Sequence, residues 1–190
     1  VHLDERPQYV MIHEYPLSGR PPMMTHVFKN DSGHRIIAAK GAPEAMMQVS
    51  VLSDDEKKSL DDAFQTLAKD GFRVLGVGVS TFEGERFPST QQELKFVFKG
   101  LVAFYDPPKK NIREVFEAFY TAGIAVKIIT GDNAATTSTI ARQINFRGAD
   151  KTMSGEELLN MSDDEVNQKV MDVNIFTRMF PEAKLKILNA

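Results

Sequence analysis

The first hundred residues alternate between apolar-rich stretches and turn residues, a pattern typical of β-strands. Residues 25–41 contain two apolar-rich stretches joined by Asn30-Asp31-Ser32-Gly33, and this turn sequence predicts a β-hairpin. Two further strands are predicted over 72–82 and 94–106, with a polar loop between them. The first half is therefore predicted to consist of strands and hairpins around one helix.

That helix is predicted over residues 53–71. Ser53 and Glu56 have the spacing of a capping box, in which each side chain accepts a hydrogen bond from the other residue's backbone amide. Gly71 is a typical stop after the last turn. The apolar face has helical spacing and consists of Leu60, Phe64 and Leu67.

The pattern changes at Asp106-Pro107-Pro108-Lys109-Lys110, where two prolines favour an extended kink. Beyond it, helices are predicted over 111–123, after Gly131, near 163–171 and over 181–190, and strands over 124–130 and 173–179. The first of these helices has its apolar face at Ile112, Val115, Phe116 and Phe119. This alternation is typical of a parallel sheet that helices cover on both faces. We therefore predict an α/β fold with a boundary near residue 105, which gives domains of residues 1–104 and 105–190.

Thr130-Gly131-Asp132 follows the predicted strand 124–130 and precedes a helix. Gly131 permits a tight turn, and Asp132 or Asn133 is suited to cap the helix. Backbone amides and the helix dipole attract anions at a helix start, so this junction is a candidate anion site. An ordinary capped turn between a strand and a helix explains the same residues equally well.

Composition narrows the classes of function. The 190-residue chain has a net charge of −3 and no basic block of the kind that binds nucleic acid. It contains no cysteine, which excludes disulfides and cysteine-ligated metals. No metal-ligand spacing connects the four histidines, His2, His13, His26 and His34. No apolar run approaches the ~20 residues of a membrane span, and because the chain begins at Val1, we expect it to be part of a longer protein.

Four short stretches stand in a fixed order: KGAPE at 40–44, DPPK at 106–109, TGD at 130–132 and FTRMFPEAK at 176–184. Together with GFRVLGVG at 71–78, they resemble the cytoplasmic part of P-type ATPases of the cation-pumping, calcium-type branch. The resemblance covers essentially the whole chain. It implies a partial α+β nucleotide-binding domain over 1–104 and part of a phosphorylation domain over 105–190, with a haloacid-dehalogenase-like parallel sheet.

The resemblance implies an ATP site in the first half. Lys40, with Gly41 beside it, would lie in the pocket at the end of a strand, where its ammonium attracts the nucleotide. Tyr15 matches the aromatic residue that stacks on adenine. Arg20 would reach toward phosphate, although Pro21 and Pro22 depart from the calcium-pump pattern. On spacing alone, Lys40 is equally consistent with a surface lysine before a turn.

Two more residues are assigned to the nucleotide by the resemblance. Arg73 matches an arginine that contacts phosphate across the pocket, for which a planar guanidinium is suited. Asp106 would help to position the nucleotide or the hinge between the domains. The alternatives are a surface arginine on a strand and a turn-forming aspartate before proline.

Residues of the phosphoryl-transfer site are implied in the second half. Thr130 would offer its hydroxyl and Gly131 its amide to the transferred phosphoryl group, with Asp132 near the nucleotide or the metal. Lys184 matches the lysine that neutralises charge around the phosphorylated aspartate. Phosphoryl transfer depends mainly on positioning and charge stabilisation, for which these groups are suited.

The aspartate nucleophile of this family lies in an Asp-Lys-Thr-Gly-Thr motif. Asp150-Lys151-Thr152 is similar, but it follows a polar stretch, lacks the glycine and comes after Thr130-Gly131-Asp132. We interpret it as a loop that enters a helix capped by Ser154. We expect the nucleophile and most Mg²⁺ ligands to lie outside this chain, and the chain alone to be inactive.

The resemblance therefore implies a fragment of an ATP-driven cation pump, the cytoplasmic domain of an integral membrane protein, with calcium or another cation as cargo. ATP, Mg²⁺ and the actuator, remaining phosphorylation and transmembrane parts of the same pump would be its partners, and nucleic acid would not. Two alternatives remain. A freestanding haloacid-dehalogenase-like phosphatase would need an Asp-x-Asp nucleophile, which the sequence does not contain. A non-catalytic nucleotide-binding module would share the binding residues.

Overall fold

The computed structural model describes residues 6–190, apart from the side chain of Arg6, so His2 lies outside the described residues. Its strands and helices are, in chain order, β1 (Tyr9–Ser18), β2 (Met23–Asn30), β3 (Arg35–Gly41), α1 (Pro43–Gln48), α2 (Asp54–Lys69), β4 (Arg73–Ser80), β5 (Phe96–Phe104), α3 (Ile112–Thr121), β6 (Ile128–Ile129), α4 (Ala134–Gln143), β7 (Thr152–Ser154), α5 (Gly155–Leu159), α6 (Asp163–Asp172), β8 (Ile175–Thr177) and α7 (Pro181–Leu188). Among residues 6–190, no helix combines the length and the apolar character that crossing a bilayer requires.

The chain divides into two compact units. The first takes in the chain up to Phe64 together with Val74–Ala103, and the second consists of Gln65–Arg73 and Phe104–Ala190. The mixed α/β class predicted from the sequence is confirmed, since the first unit contains a five-stranded sheet and the second a small parallel one. The domain division at residue 104 stays a prediction.

The first sheet has the strand order β1-β2-β3-β4-β5. The predicted hairpin is confirmed: β2 and β3 pair antiparallel, and the amide of Gly33 donates to the Asn30 carbonyl oxygen at 3.0 Å. β1 was not among the predicted strands. Its sequence contains Pro16, which lies in an irregular stretch between Tyr15 and Ser18 at the edge of the sheet, where a missing amide donor is tolerated.

One face of this sheet is buried and forms the core of the first unit. Met23 and Val27 of β2, Ile37 of β3 and Phe96 of β5 are at most 1% exposed. The short helix α1, which begins with Pro43 at a position where proline is favoured, packs Met46 against Gly76 of β4. A Cβ atom at Gly76 would lie 2.9 Å from the Cβ of Met46, so the glycine permits this close approach.

The second sheet is parallel, with the order β6-β8-β7. Side chains of successive strand residues point to opposite faces, and β8 shows this directly. Ile175 packs in one cluster with α4 and the residues of α3, and Phe176 packs in another with α5, α6 and α7. The prediction of a parallel sheet with helices on both faces is therefore confirmed.

Two details of the second unit differ from the sequence predictions. The strand predicted over 124–130 is only β6, because β8 offers partners to Ile128 and Ile129 alone. Thr152-Met153-Ser154, interpreted as a loop, is the strand β7, which pairs with β8. A three-residue strand is too short to leave an alternating pattern in the sequence.

The apolar face predicted for α3 is divided between two environments. Ile112 and Phe116 pack against the cluster of Ala141, Ile144 and Phe146. Val115 and Phe119 are 37% and 40% exposed. Helical periodicity identifies an apolar stripe, but the neighbouring elements decide how much of it is buried.

Within residues 6–190, capping boxes begin three α-helices, and a further box of Thr90 and Glu93 begins a short 3-10 helix. The predicted box at α2 is confirmed, since the Ser53 amide donates to Glu56 Oε2 at 2.8 Å and the Glu56 amide donates to Ser53 Oγ at 3.3 Å. Ser154 caps α5, as predicted, in a box with Glu157. Ser162 and Glu165 form the same arrangement at α6.

Ser154→Ala is expected to lower the free energy of unfolding by about 1 kcal/mol, because the Glu157 amide loses its acceptor. Urea denaturation followed by far-ultraviolet circular dichroism measures this loss. Ser59→Ala is the control, since Ser59 is exposed in the middle of α2, where alanine favours the helix. Equal stability of the Ser154→Ala chain and the unmodified chain would contradict the capping role.

The same box predicts a dependence of stability on pH. Hydrogen bonds from the backbone and hydroxyl of Ser154 lower the pKa of Glu157 in the folded chain. The stabilisation is therefore fully present above the ordinary glutamate pKa of about 4.3 and is lost as the pH falls through the lowered value. The difference in unfolding free energy between the unmodified chain and Glu157→Gln should shrink below that pH. Glu156→Gln, which removes a neighbouring charge outside the box, should not reproduce this difference.

Candidate functional site

A shallow pocket lies on the half-buried face of the five-stranded sheet, here called the open face. Residues directly opposite one another on paired strands share a face, and the register aligns Met24 of β2, Lys40 of β3 and Val77 of β4. The pocket has a volume of about 320 Å³, and its other lining residues are His26, Phe28, Ala38, Ala39, Gly78, Val79 and Lys99. This volume lies at the lower end of the range for small-molecule sites.

The pocket combines an apolar floor with cationic groups at its margin. Lys40 and Lys99 are exposed and line it together with the side chains of Met24 and Val77. His26 lies 3.5 Å from the Glu14 carboxylate, measured from Nε2 to Oε1. A flat apolar surface bordered by two ammonium groups is suited to a ligand that carries both a ring and a negative charge.

Tyr15 lies on the other face of the same sheet. Its strand partner is Thr25, which is fully buried in the core, and the Tyr15 side chain is only 7% exposed. Its hydroxyl donates to the Pro88 carbonyl oxygen at 2.7 Å, and burial raises the pKa of the hydroxyl. The structure therefore does not bring Tyr15 and Lys40 together.

Close packing requires a glycine at position 41, which the sequence did not reveal. It pairs with Met23 of β2, and a Cβ atom at Gly41 would lie 2.5 Å from the Met23 Cβ and 2.7 Å from the Pro22 carbonyl oxygen. The same Pro22 oxygen accepts the Ala42 amide at 2.9 Å. Arg20 is exposed in the turn between β1 and β2, two residues before this contact.

The loop Thr130-Gly131-Asp132 in the second unit is held by backbone hydrogen bonds to the end of β8. The Thr130 amide donates to the Phe176 carbonyl oxygen at 2.9 Å, the Met179 amide to the Thr130 carbonyl at 3.0 Å, and the Arg178 amide to the Asp132 carbonyl at 2.9 Å. We call these three bonds the backbone clamp. It fixes the Thr130 hydroxyl and the Asp132 carboxylate at the carboxyl edge of the parallel sheet.

The helix cap is Asn133 rather than Asp132. The Asn133 side-chain oxygen accepts the Thr136 amide at 2.9 Å. This leaves the Asp132 carboxylate for other partners, and it accepts the Thr130 hydroxyl at 3.3 Å. The sequence left the choice of cap open, and the side-chain geometry of α4 decides it.

Arg73 lies beside Asp132 in the second unit. Its Nε is 3.4 Å from Asp132 Oδ1, and the two side chains are 68% and 38% exposed. The segment is attached to α4 because the Thr136 hydroxyl donates to the Phe72 carbonyl oxygen at 2.9 Å. A pair this exposed contributes little to stability, so its main effect is to place a guanidinium next to the loop.

The remaining predicted residues, Lys184 and Asp106, are exposed. Lys184 is exposed in the first half of α7, which starts at the same edge of the sheet, but its ammonium makes no hydrogen bond or ion pair with residues 6–190. Asp106 is exposed in the extended segment before α3. The sequence did not single out Arg178, which belongs to the clamp and has a φ of 50°. A left-handed arginine is uncommon, and nothing in the sequence marks it.

The described residues do not fit a complete magnesium site. Mg²⁺ requires octahedral oxygen ligands, whereas the loop offers the single carboxylate of Asp132, already paired with Arg73. Within residues 6–190, no three carboxylate or histidine side chains lie close enough together to hold a metal.

Two glycine substitutions should differ sharply in their effect on folding. Gly41→Ala places a methyl group against Met23 and is expected to lower the free energy of unfolding by about 1–3 kcal/mol. Gly131→Ala is the matched control, because within residues 6–190 no atom outside residues 130–132 lies within 4 Å of the added Cβ. Thermal unfolding of both variants measures the difference, and equal melting temperatures would contradict the close approach at Gly41.

The family model and the relatives found by comparison with known proteins agree on one family. Residues 3–111 match the family model described as P-type ATPase, cytoplasmic domain N. The calcium-transporting ATPase of Bacillus subtilis is 31% identical over 96% of this chain and 22% of its own length. Calcium-transporting ATPase 1 of Saccharomyces cerevisiae is 29% identical over 94% and 21%, and the sodium/potassium exporting P-type ATPase cta3 of Schizosaccharomyces pombe is 27% identical over 94% and 19%.

The chain spans about a fifth of the length of these relatives. The match to the family model takes in more than half of the 190 residues. The KGAPE stretch, which forms the end of β3 and the start of α1, lies inside it. On this evidence, the chain belongs to the P-type ATPases.

Proposed function

We propose that this chain is a cytoplasmic part of an ATP-driven cation pump that binds ATP and contributes to phosphoryl transfer onto an aspartate outside it. The observation that supports ATP binding best is the pocket on the open face, where Lys40 of the KGAPE motif lies beside an apolar floor. The phosphoryl-transfer role is supported by the loop Thr130-Gly131-Asp132 and its backbone clamp.

ATP has a flat apolar base and a polyanionic tail, and the open-face pocket offers a surface for each. Met24 and Val77 provide apolar contact area, while Lys40 and Lys99 provide positive charge. Because Tyr15 lies on the opposite face, we assign the contact with adenine to the residues that line the pocket. Arg20 and Gly41, at the end of the same pair of strands, remain candidates for the nucleotide site.

In the second unit, we propose that the transferred phosphoryl group contacts the Thr130 hydroxyl and the Gly131 amide. Asp132 and Arg73 would lie next to it, and Lys184 would neutralise charge from the start of α7. Removing one preorganised donor of an oxyanion hole lowers kcat by about 10²–10³. The ion pair places the Arg73 guanidinium next to Asp132.

The strand β6 indicates where the aspartate would come from. Within the described residues, β6 pairs with β8 on one side only. Carboxyl ends of parallel strands meet at one edge of a sheet, so a parallel strand paired with the other side of β6 would end beside Thr130. We therefore propose that the strand that carries the aspartate pairs there. Asp150, which precedes β7, is separated from β6 by β8.

The finer properties of the pump are also proposals. The cargo would be calcium or another cation, since the relatives carry names for calcium and for sodium/potassium transport. The full-length protein would hydrolyse ATP with Mg²⁺, whose ligands lie mostly outside this chain. The chain would sit on the cytoplasmic side of the membrane, next to the actuator, phosphorylation and transmembrane parts of the same pump, with Asp106 in the hinge between nucleotide-binding (1–104) and phosphorylation (105–190) domains. Alone, it would be inactive.

Lys40→Ala is expected to weaken ATP binding at least about tenfold, because a charge-assisted contact to the nucleotide is removed. Isothermal titration calorimetry without Mg²⁺ on the 190-residue chain measures this change. Lys29→Ala is the matched control, since Lys29 is also exposed on the β2–β3 pair but lies on the other face. Equal affinity of the Lys40→Ala and Lys29→Ala variants would remove the support for ATP binding at this pocket.

Methyl resonances of the two adjacent methionines show which face the nucleotide occupies. ATP should shift the Met24 methyl resonance, on the open face, and leave that of Met23, in the core, nearly unchanged. Larger shifts at Met23 and at the Tyr15 ring would instead place the base on the Tyr15 side.

A further inference from the structure

A second cavity, in the second unit, is lined by three cationic side chains. Lys109, Lys110 and Arg113 surround a volume of about 310 Å³ at the junction of the Pro107-Pro108 segment and α3. No carboxylate is among the lining residues, although the chain as a whole has a net charge of −3. The positive charge of this cavity is therefore a local feature and not a consequence of composition.

The cations are held near one another by the backbone and by α4. Arg113 donates through its guanidinium to the Gln143 carbonyl oxygen at the last residue of α4. The Lys109 carbonyl oxygen accepts the Ile112 amide at 3.1 Å, which fixes the backbone of Lys109 to the first turn of α3. Within residues 6–190, the ammonium groups of Lys109 and Lys110 make no ion pair, so both are available to a ligand.

Part of the lining of the cavity is apolar. Pro108, Ile112 and Ile144 line it together with the cations, and Ile112 also packs against the cluster that contains Ile144. A bare phosphate would leave most of 310 Å³ unfilled. The site therefore suits an anion that carries an organic group.

We propose that this cavity binds a phosphate-bearing anion, either a small phosphorylated molecule or the headgroup of a phosphorylated lipid. An arginine fork and two lysine point charges match the two negative charges and three acceptor oxygens of a phosphate monoester. Pro108, Ile112 and Ile144 contact the organic group attached to the phosphate.

The cavity is separate from the loop Thr130-Gly131-Asp132. That loop precedes the first turn of α4, whereas Gln143 and Ile144 lie at the other end of the helix. Ten helical residues span about 15 Å, so a ligand in the cavity does not reach the Thr130 hydroxyl. The proposal therefore does not depend on the function proposed above.

Residue-resolved nuclear magnetic resonance on the 190-residue chain tests the site. Inorganic phosphate and glycerol 3-phosphate are titrated at constant ionic strength, with chloride as the replaced anion. Saturable shifts are expected at the amides of residues 109–113 and 143–144, with tighter binding of glycerol 3-phosphate. Shifts that stay linear with concentration, or that occur only near Lys40 or Thr130, would overturn the proposal.

A double substitution separates a built site from general surface charge. K109Q/K110Q should raise the Kd for glycerol 3-phosphate at least about tenfold, since two charge-assisted contacts are lost. K57Q/K58Q removes the same charge from two exposed, adjacent lysines of α2 and should change the Kd less than about twofold, as expected for remote, screened charges. Equal effects of the two double variants would show general attraction only and would overturn the proposal.

Vesicles distinguish the two sources of the phosphate. Cosedimentation uses phosphatidylcholine vesicles with and without phosphatidylinositol 4-phosphate, and phosphatidylserine vesicles of equal charge as the control. Retention by the phosphoinositide alone, lost in K109Q/K110Q, would support a lipid headgroup. Binding of glycerol 3-phosphate without vesicle retention would support a soluble ligand. The absence of both kinds of binding would refute the site.

Discussion

The alternation of side chains across the five-stranded sheet decides which residues of the first unit are able to meet a common ligand. The pairing of β3 with β2 and with β4 puts Met24, Lys40 and Val77 on one face, and Met23 and Thr25 on the other. A shift of one residue in this register would exchange the two faces completely. The core opposes such a shift, because it would expose Met23 and Val27 and bury the ammonium of Lys40.

The residues of the KGAPE motif both line the open-face pocket and support the fold. Lys40 faces the open pocket, Gly41 allows Met23 and Pro22 to approach, and Pro43 begins α1. α1 in turn covers the core face with Met46. Close packing accounts for the glycine at position 41, and its place in the nucleotide site stays a proposal.

In the second unit, backbone hydrogen bonds rather than ion pairs fix the position of the loop Thr130-Gly131-Asp132. The clamp connects the loop after β6 to the segment after β8 through three amide–carbonyl bonds. Because these bonds belong to the main chain, they do not vary with salt as the exposed Arg73–Asp132 pair does. A loop fixed in this way presents its hydroxyl and carboxylate with little further ordering, which is what phosphoryl transfer requires of its surroundings.

Local signals determined much of the fold directly from the sequence. The capping box at Ser53, the stop at Gly71 and the turn at Asn30-Gly33 each depend on residues close together in the chain, and each is present in the structure. The parallel sheet was also predicted from the sequence, because strand and helix patterns alternate after Pro107. Of the motifs that pointed to P-type ATPases, KGAPE and FTRMFPEAK lie largely in strands and helices, whereas DPPK and TGD lie between them.

The tertiary structure decided the features that depend on strand register, on position at a sheet edge and on contacts between residues distant in sequence. Tyr15 matched a stacking aromatic by its residue type, but pairing with Thr25 turns it into the core. β1 and β7 were not predicted from the sequence, because their formation depends on a neighbouring strand rather than on their own periodicity. The cavity at Lys109, Lys110 and Arg113 exists only because α4 ends next to α3. The sequence by itself determined most of the elements and the family, because these depend on residue type and short spacing. The faces and cavities depend on how distant segments pair, which is a property of the folded chain.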